Sequence, residues 1–507
     1  MRPNAPATWK LRWTVYPYPS SPALQQNWSW RVYVFILALA ITGAICVIYS
    51  PLVWLGIAGL LVLGVQLVNP VSRLAVVVFT CALLSYSPFE AGALSRLFPG
   101  DLAIGFFVFA WLIRCESWSF KELFRPDMIN RPLLGIALVT PLSMIWSRFH
   151  PDPSVTYSFP HSDVSWTTTQ VSQLALLAVT ICMPFAVAAT IKSWKRVEAV
   201  VIILGVAASL GALVTSTALI FGFGGSYTIL GATRAYWEQP WDSSIEPLSS
   251  LLVPFLYAGI VFGRHSLAKY RSICVLFVFC LLAVALSFSR ETWLLAFLAI
   301  FVVTGLWLWQ RVKSIFSLVI WSQAIIALLI IGVFASGALG LVSRFYNPDE
   351  VYGFERIYFY ITALQLFATH PLMGVGAGNY QFFDRTYAEV SAGGIAHNQF
   401  LTIAAETGLP GLLVFLWLLS ALIRFLWRLD TQRADGSEVP YWIRAAGWAF
   451  MVCWIVECLF REAFWVTAAA GGGTKAITAT IFPWILLGIL FAACNLHESK
   501  SQLRTCD

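Results

Sequence analysis

Charge is scarce in this chain. Only 11% of its 507 residues are Asp, Glu, Lys or Arg, against about 25% in a soluble domain. Hydrophobic residues reach 59%, with 23 Trp and 37 Phe, and mean hydropathy is +0.76. No water-soluble fold of this size hides that much apolar surface, so a cytosolic enzyme, a secreted domain and a DNA-binding protein are excluded. Long runs of alternating polar and apolar residues are also missing, which disfavours an outer-membrane barrel. No Gly-x-x-x-x-Gly-Lys-Ser/Thr loop occurs, so ATP-driven transport is not expected. No Cys-x-x-Cys or Cys/His cluster has the spacing of a metal site, and no metal or cofactor is expected. The first 31 residues have no small-residue cleavage site after a short apolar core, and they read as a cytoplasmic lead-in. What remains is an all-α polytopic membrane protein.

A spanning helix needs about 20 mostly apolar residues. Runs of that kind lie near 32–50, 52–68, 73–88, 102–113, 132–147, 171–191, 197–221, 248–263, 272–289, 292–309, 315–336, 400–423, 445–460 and 476–494. Several are short, giving an expectation of 12–14 transmembrane helices. The layout expected is a lead-in at 1–31, a bundle of about eleven spans at 32–336, a long outer loop at 337–399, spans within 400–494 and a tail at 495–507.

Lys and Arg set the orientation. With the N-terminus inside and the spans alternating, 23 of the 32 basic residues fall in inner connections, Arg73 among them. Nine acids fall inside and sixteen outside, so the inner side carries 23 − 9 = +14 and the outer side 9 − 16 = −7. The overall +7 therefore reports a cytoplasmic face near anionic lipid and not a nucleic-acid partner. Both termini are expected inside. All ten cysteines lie in spans or on the inner face, so no disulfide framework is expected outside.

Three outer segments exceed the usual helix connection: 148–170, 222–247 and 337–399. Within the last, Val351–His370 has apolar residues at helical spacing, with Ile357, Ile361, Leu364 and Ala368 on one stripe. It reads as an amphipathic helix on the outer surface. Pro371 stops it, and Gly374, Gly376 and Gly378 make a tight turn before Asn379.

Eight of the nine outer basic residues are Arg, whose planar fork binds phosphate bidentately. Arg234 sits in a Gly-flanked outer loop, Arg290 at the tip between two apolar spans, and Arg356 on the surface helix. Together they read as a cradle for a diphosphate. The competing reading is interfacial arginines that reach headgroups or pair with Glu238, Glu291 or Glu355. His397 lies where the long outer loop enters a span, a position suited to a general base; a structural histidine is the alternative. Glu406 is nine residues on, about 13 Å farther along a continuous helix, and reads as a packing or supporting residue.

Residues 370–379 (HPLMGVGAGN), 396–401 (AHNQFL) and 405–411 (AETGLPG) resemble the O-antigen ligase and polymerase superfamily. Its members show Pro-x-x-Gly-x-Gly-x-Asn, then His-Asn-x-x-Leu, then Glu-x-Gly-x-x-Gly. Ser289-Arg290 is similar to that family's Ser-Arg element, and the specific likeness spans about residues 230–425. The resemblance implies a glycan donor linked to undecaprenyl diphosphate and a glycan or lipid-core acceptor. It also implies transfer on the outer face of a bacterial inner membrane. It makes His397 the base and Arg234, Arg290 and Arg356 the diphosphate clamp, with Arg290 and Arg356 alternatives for one family arginine. Gly376, Asn379, Asn398 and Glu406 are supporting residues by the same likeness. Ligase and polymerase remain equal readings; a transporter or flippase of lipid-linked glycans is the alternative from another class.

Overall fold

The computed structural model describes residues 70–83, 99–114, 129–153, 155, 158–159, 162–221, 225–229, 232–236, 242–263, 267–287, 290–311, 352–387, 396–431, 439–465 and 475–504. The lead-in at 1–31 and the runs near 32–50, 52–68 and 315–336 lie outside the described residues. Each of the other eleven runs falls on a helix.

The helices in chain order are α1 (Pro70–Leu83), α2 (Pro99–Arg114), α3 (Asn130–Phe149), α4 (Trp166–Thr190), α5 (Trp194–Phe221), α6 (Asp242–Phe262), α7 (Leu267–Leu286) and α8 (Arg290–Arg311). They continue with α9 (Tyr352–Thr369), α10 (Tyr380–Tyr387), α11 (Gln399–Thr431), α12 (Tyr441–Glu457) and α13 (Lys475–Arg504). Among the described residues, six helices are long and apolar enough to cross a membrane: α3, α4, α5, α8, α11 and α13. The protein is an all-α, multi-pass membrane protein.

Two short hairpins break the helical pattern, both in segments expected to be long outer connections. One pairs β1 (Ser158–Phe159) with β2 (Ser162–Ser165), the other β3 (Gly225–Ile229) with β4 (Ala232–Tyr236). Strands of two to five residues leave too little alternation to be seen as sheet in the sequence.

The bundle is built around α6, which packs against α7, α8, α12 and α13, while α13 lies along α4. Lipid tails are as apolar as leucine, so close backbone approach and polar pairing hold such helices together. Gly488 shows the requirement: a Cβ there would stand 2.6 Å from Val187 of α4. A buried aromatic group joins α12, α13 and the segment after α12. Trp454 stacks on Phe464 at 3.7 Å, and Trp484 meets both edge-on.

The segment around α9, α10 and the start of α11 has a core of its own. Ala363 and Leu366 of α9, Val375 of the Gly turn, Tyr380, Phe382 and Phe383 of α10, and Ala405 of α11 form one buried cluster. The stripe expected on α9 proves to be its outward face: Ile357, Ile361 and Leu364 are 50%, 44% and 53% exposed. The face turned toward α11 carries Phe359, Thr362, Ala363 and Leu366 instead. Small Ala363 and Thr362 let α9 approach α11 closely. Arg73, expected in a connection, lies buried in the first turn of α1.

Candidate active site

The Gly-x-Gly-x-Gly run is a turn, as its sequence predicts. Gly374, Gly376 and Gly378 have φ of 64°, 95° and 79°, where a side chain is strained. The turn is pinned on two sides. Val375 and Gly376 donate their N–H groups to the carbonyls of Ala405 and Glu406, both at 2.9 Å, and Leu409 donates to Pro371 at 2.8 Å. On the other side, Asn379 Nδ2 donates to Ser147 Oγ at 3.2 Å and to its own turn at Val375 O, while the Ala377 N–H donates to Ser143 Oγ. Helix α11 opens to receive the turn: Gly408 has φ 67° and ψ −163°, which interrupts the helix. Glu406 lies two residues before that break, on the helical stretch that begins at Gln399. Its buried carboxylate accepts from the backbone N–H groups of Tyr380 and Gly378, fastening the turn to α10. Asn379 and Glu406 thus hold the turn that contains Gly376, with Ser143 and Ser147 as partners that sequence reasoning missed.

His397 stands just before α11. Its φ of 50° makes it the only non-glycine with positive φ among the described residues, and such a conformation persists only where its surroundings impose it. Asn398 caps the helix, its Oδ1 accepting from the Phe400 and Leu401 N–H groups at 3.0 and 3.1 Å. Its Nδ2 donates to Leu459 O. The His397 ring is half-buried and lies 5.7 Å, centroid to centroid, from Phe359 of α9. The His397 backbone N–H donates to the carboxyl of Glu462, which also accepts from Thr402 Oγ1 at 2.7 Å.

Glu462 belongs to a strap, residues 458–465, that follows α12 and was not singled out from the sequence. The strap wraps the first turn of α11. Gln399 donates its N–H to Cys458 O, and its Oε1 accepts from the Phe464 and Trp465 N–H groups at 2.8 and 3.0 Å. Trp454 Nε1 donates to Ala463 O. Arg461 pairs with Glu457 one turn back on α12 and, at 3.1 Å, with Glu291 of α8. Burial pushes the Glu462 carboxyl above the usual carboxylate range; the Thr402 hydroxyl, its own backbone, the His397 N–H and Arg461 pull the other way without prevailing.

A cavity of about 40 Å³ lies beside this group, lined by Thr140, Gln173, Gln399, Thr402, Glu406 and Trp465 among others. Apolar groups, Ile136, Leu177, Ile403 and Phe415 among them, make up most of its walls.

The three candidate clamp arginines have their backbones described but not their side chains. Arg234 lies on β4, not in an open loop, with Tyr227 opposite it on β3. Arg290 is the first residue of α8, directly before the Glu291 that binds Arg461. Arg356 lies in the second turn of α9, the helix that supplies Phe359. Glu291, read as a candidate partner for Arg290, holds Arg461. Arg148, another arginine in a segment expected outside, takes the plain structural role: it donates to Gln170 and Thr167 and stacks 3.9 Å over Trp166.

Residues 275–416 match the family model described as O-Antigen ligase. No curated protein matches the chain. The matched segment holds Arg290, Arg356, the Gly turn, His397, Glu406 and Gly408, and it ends before the strap.

Proposed function

We propose, from the premise that residues 275–416 form an O-antigen ligase family domain, that this membrane protein is a glycosyltransferase. It moves a glycan from an undecaprenyl-diphosphate-linked donor to an acceptor hydroxyl, at the outer face of a bacterial inner membrane, with both chain termini inside. The observation that supports this best is the setting of His397. It sits in an imposed backbone conformation, half open, between the helix that carries Arg356 and the strap that reaches the start of α8 at Arg290.

In this reading the imidazole of His397 removes the proton from the acceptor hydroxyl as that oxygen attacks the anomeric carbon of the donor. The bond from that carbon to the diphosphate oxygen breaks, and the electron pair leaves with the lipid diphosphate. Arg234, Arg290 and Arg356 stabilise the charge that develops there, a task suited to fixed cations in a site shielded from water. The proton then passes from the imidazolium to solvent or to the diphosphate. No cofactor is needed. The acceptor is a glycan or a lipid core, which makes the protein a polymerase or a ligase respectively.

The test is His397→Ala in membrane vesicles that contain the cell's own lipid-linked glycan. We expect transfer to fall at least 100-fold, as for loss of a general base, with membrane insertion unchanged. Transfer at the wild-type rate by that variant overturns the assignment. In a deletion strain, unattached long glycans identify a ligase and single repeat units a polymerase. Translocation of lipid-linked glycan without any transfer to an acceptor would instead establish a flippase.

A further inference from the structure

We infer that the strap at 458–465 positions the site, with Glu462 holding His397 in its reactive pose and Arg461 fixing the start of α8 beside it. The inference rests on the reading of His397 as the base. Glu462 and Arg461 are positioning residues, neither of them placed against substrate.

The first link is the Glu462 carboxyl. It accepts from the His397 backbone N–H and from Thr402 Oγ1, one turn into α11. Those two donors bracket the point where the chain leaves its left-handed turn at His397 and enters the helix. A histidine at φ 50° relaxes toward ordinary backbone angles unless something holds it. The carboxyl supplies that hold, and it is itself only 3% exposed, so its position is set by its surroundings. Gln399 adds a second tie, bonded to the strap through its backbone N–H and both side-chain atoms.

The second link is Arg461. Its guanidinium joins Glu457 of α12 to Glu291 of α8. Glu291 follows Arg290 in the first turn of α8. Adjacent residues 461 and 462 therefore tie two chain segments that lie more than a hundred residues apart in sequence, the one beginning at Arg290 and the one containing His397. The aromatic stack of Trp454, Phe464 and Trp484 makes the strap rigid enough for both tasks. The distance between the base and the start of α8 is thereby set by one short piece of chain, which lies outside the matched family segment.

Two readouts on the full-length protein test this. Backbone hydrogen exchange, followed by mass spectrometry in detergent micelles, reports the hold on His397 without any substrate. Glu462→Ala should speed exchange at residues 396–398 at least tenfold while the middle of α11 exchanges as in the wild type. Glu462→Gln, which keeps an acceptor, should recover most of that protection. Arg461→Met should leave exchange at 396–398 within twofold. Transfer in the vesicle assay is the second readout. Glu462→Ala should lower turnover at least tenfold at saturating donor with the donor KM within twofold, Glu462→Gln should restore part of the turnover, and Arg461→Met should raise the donor KM at least fivefold. Unchanged exchange at 396–398 in Glu462→Ala overturns the inference whatever the activity shows. Faster exchange in that variant, together with full activity in His397→Ala, leaves the structural hold intact and instead removes the reading of His397 as base.

Discussion

Gly408→Ala is the sharpest test of how the site is assembled. Gly408 adopts φ 67° and ψ −163° inside α11, a region that side chains other than hydrogen avoid. Forcing alanine there costs about 1–3 kcal/mol in backbone strain. The new Cβ would also meet backbone and not a yielding side chain: Pro371 O at 2.7 Å, Leu372 C at 2.8 Å and Met373 N at 2.8 Å. Relieving that overlap means pushing the Gly turn away from α11, at about 1–3 kcal/mol more for an overpacked site. The total of roughly 2–6 kcal/mol should lower the melting temperature by about 8–16 °C at its midrange, for a cooperative unit of 150–250 residues. A control of opposite sign is Gly305→Ala in α8, where nothing lies within 4 Å of the added Cβ. Alanine in a helix interior gains up to about 1 kcal/mol over glycine, so that variant should melt no lower than wild type. Melting is followed in detergent with a thiol-reactive dye, since Cys453 and Cys458 are buried near the strap. A Gly408→Ala protein that melts within about 1 °C of the wild type would refute the claim that the helix break is made for the turn.

Three further outcomes are expected. The Glu462 carboxyl is held above its ordinary range by burial, so folding favours its protonated form; that stability is present at low pH and is lost as pH rises through the raised value. Glu462→Gln should flatten this decline in melting temperature from about pH 5 upward, starting just above the unperturbed value of about 4.3, and an unchanged slope counts against it. Arg290→Lys should lose most transfer activity although the charge is kept, because a point cation lacks the fork; an unimpaired variant returns Arg290 to a headgroup-facing role. Gly488→Leu should destabilise the contact of α13 with α4, since even a Cβ meets Val187 at 2.6 Å, and a melting temperature equal to wild type would show that the helices separate freely.

The local features were legible because their causes are local. Apolar runs of spanning length predict helices, and the eleven that fall on described residues coincide with helices. Three glycines at alternate positions predict a turn, and all three take positive φ. The start of α11 after His397-Asn398 follows from an asparagine able to cap it. The face of α9 was less legible. Residues 352–369 are apolar on more than one side, and only the presence of α11 decides that Ala363 and Leu366 go in while Ile357 and Leu364 go out.

What the sequence by itself determined is a membrane-spanning chain with a segment that resembles O-antigen ligases, and the order of Gly turn, histidine and glutamate. These depend on composition and on spacings of a few residues. Tertiary structure alone decided what holds them. Asn379 meets Ser147 across 232 positions and Gly376 faces the same serine, while the turn presses against a break at Gly408. Glu462 accepts from the His397 backbone, and Arg461 pairs with Glu291 of α8. Such pairings leave no mark in local spacing, because a buried carboxyl or guanidinium takes whichever partner the packed helices bring to it.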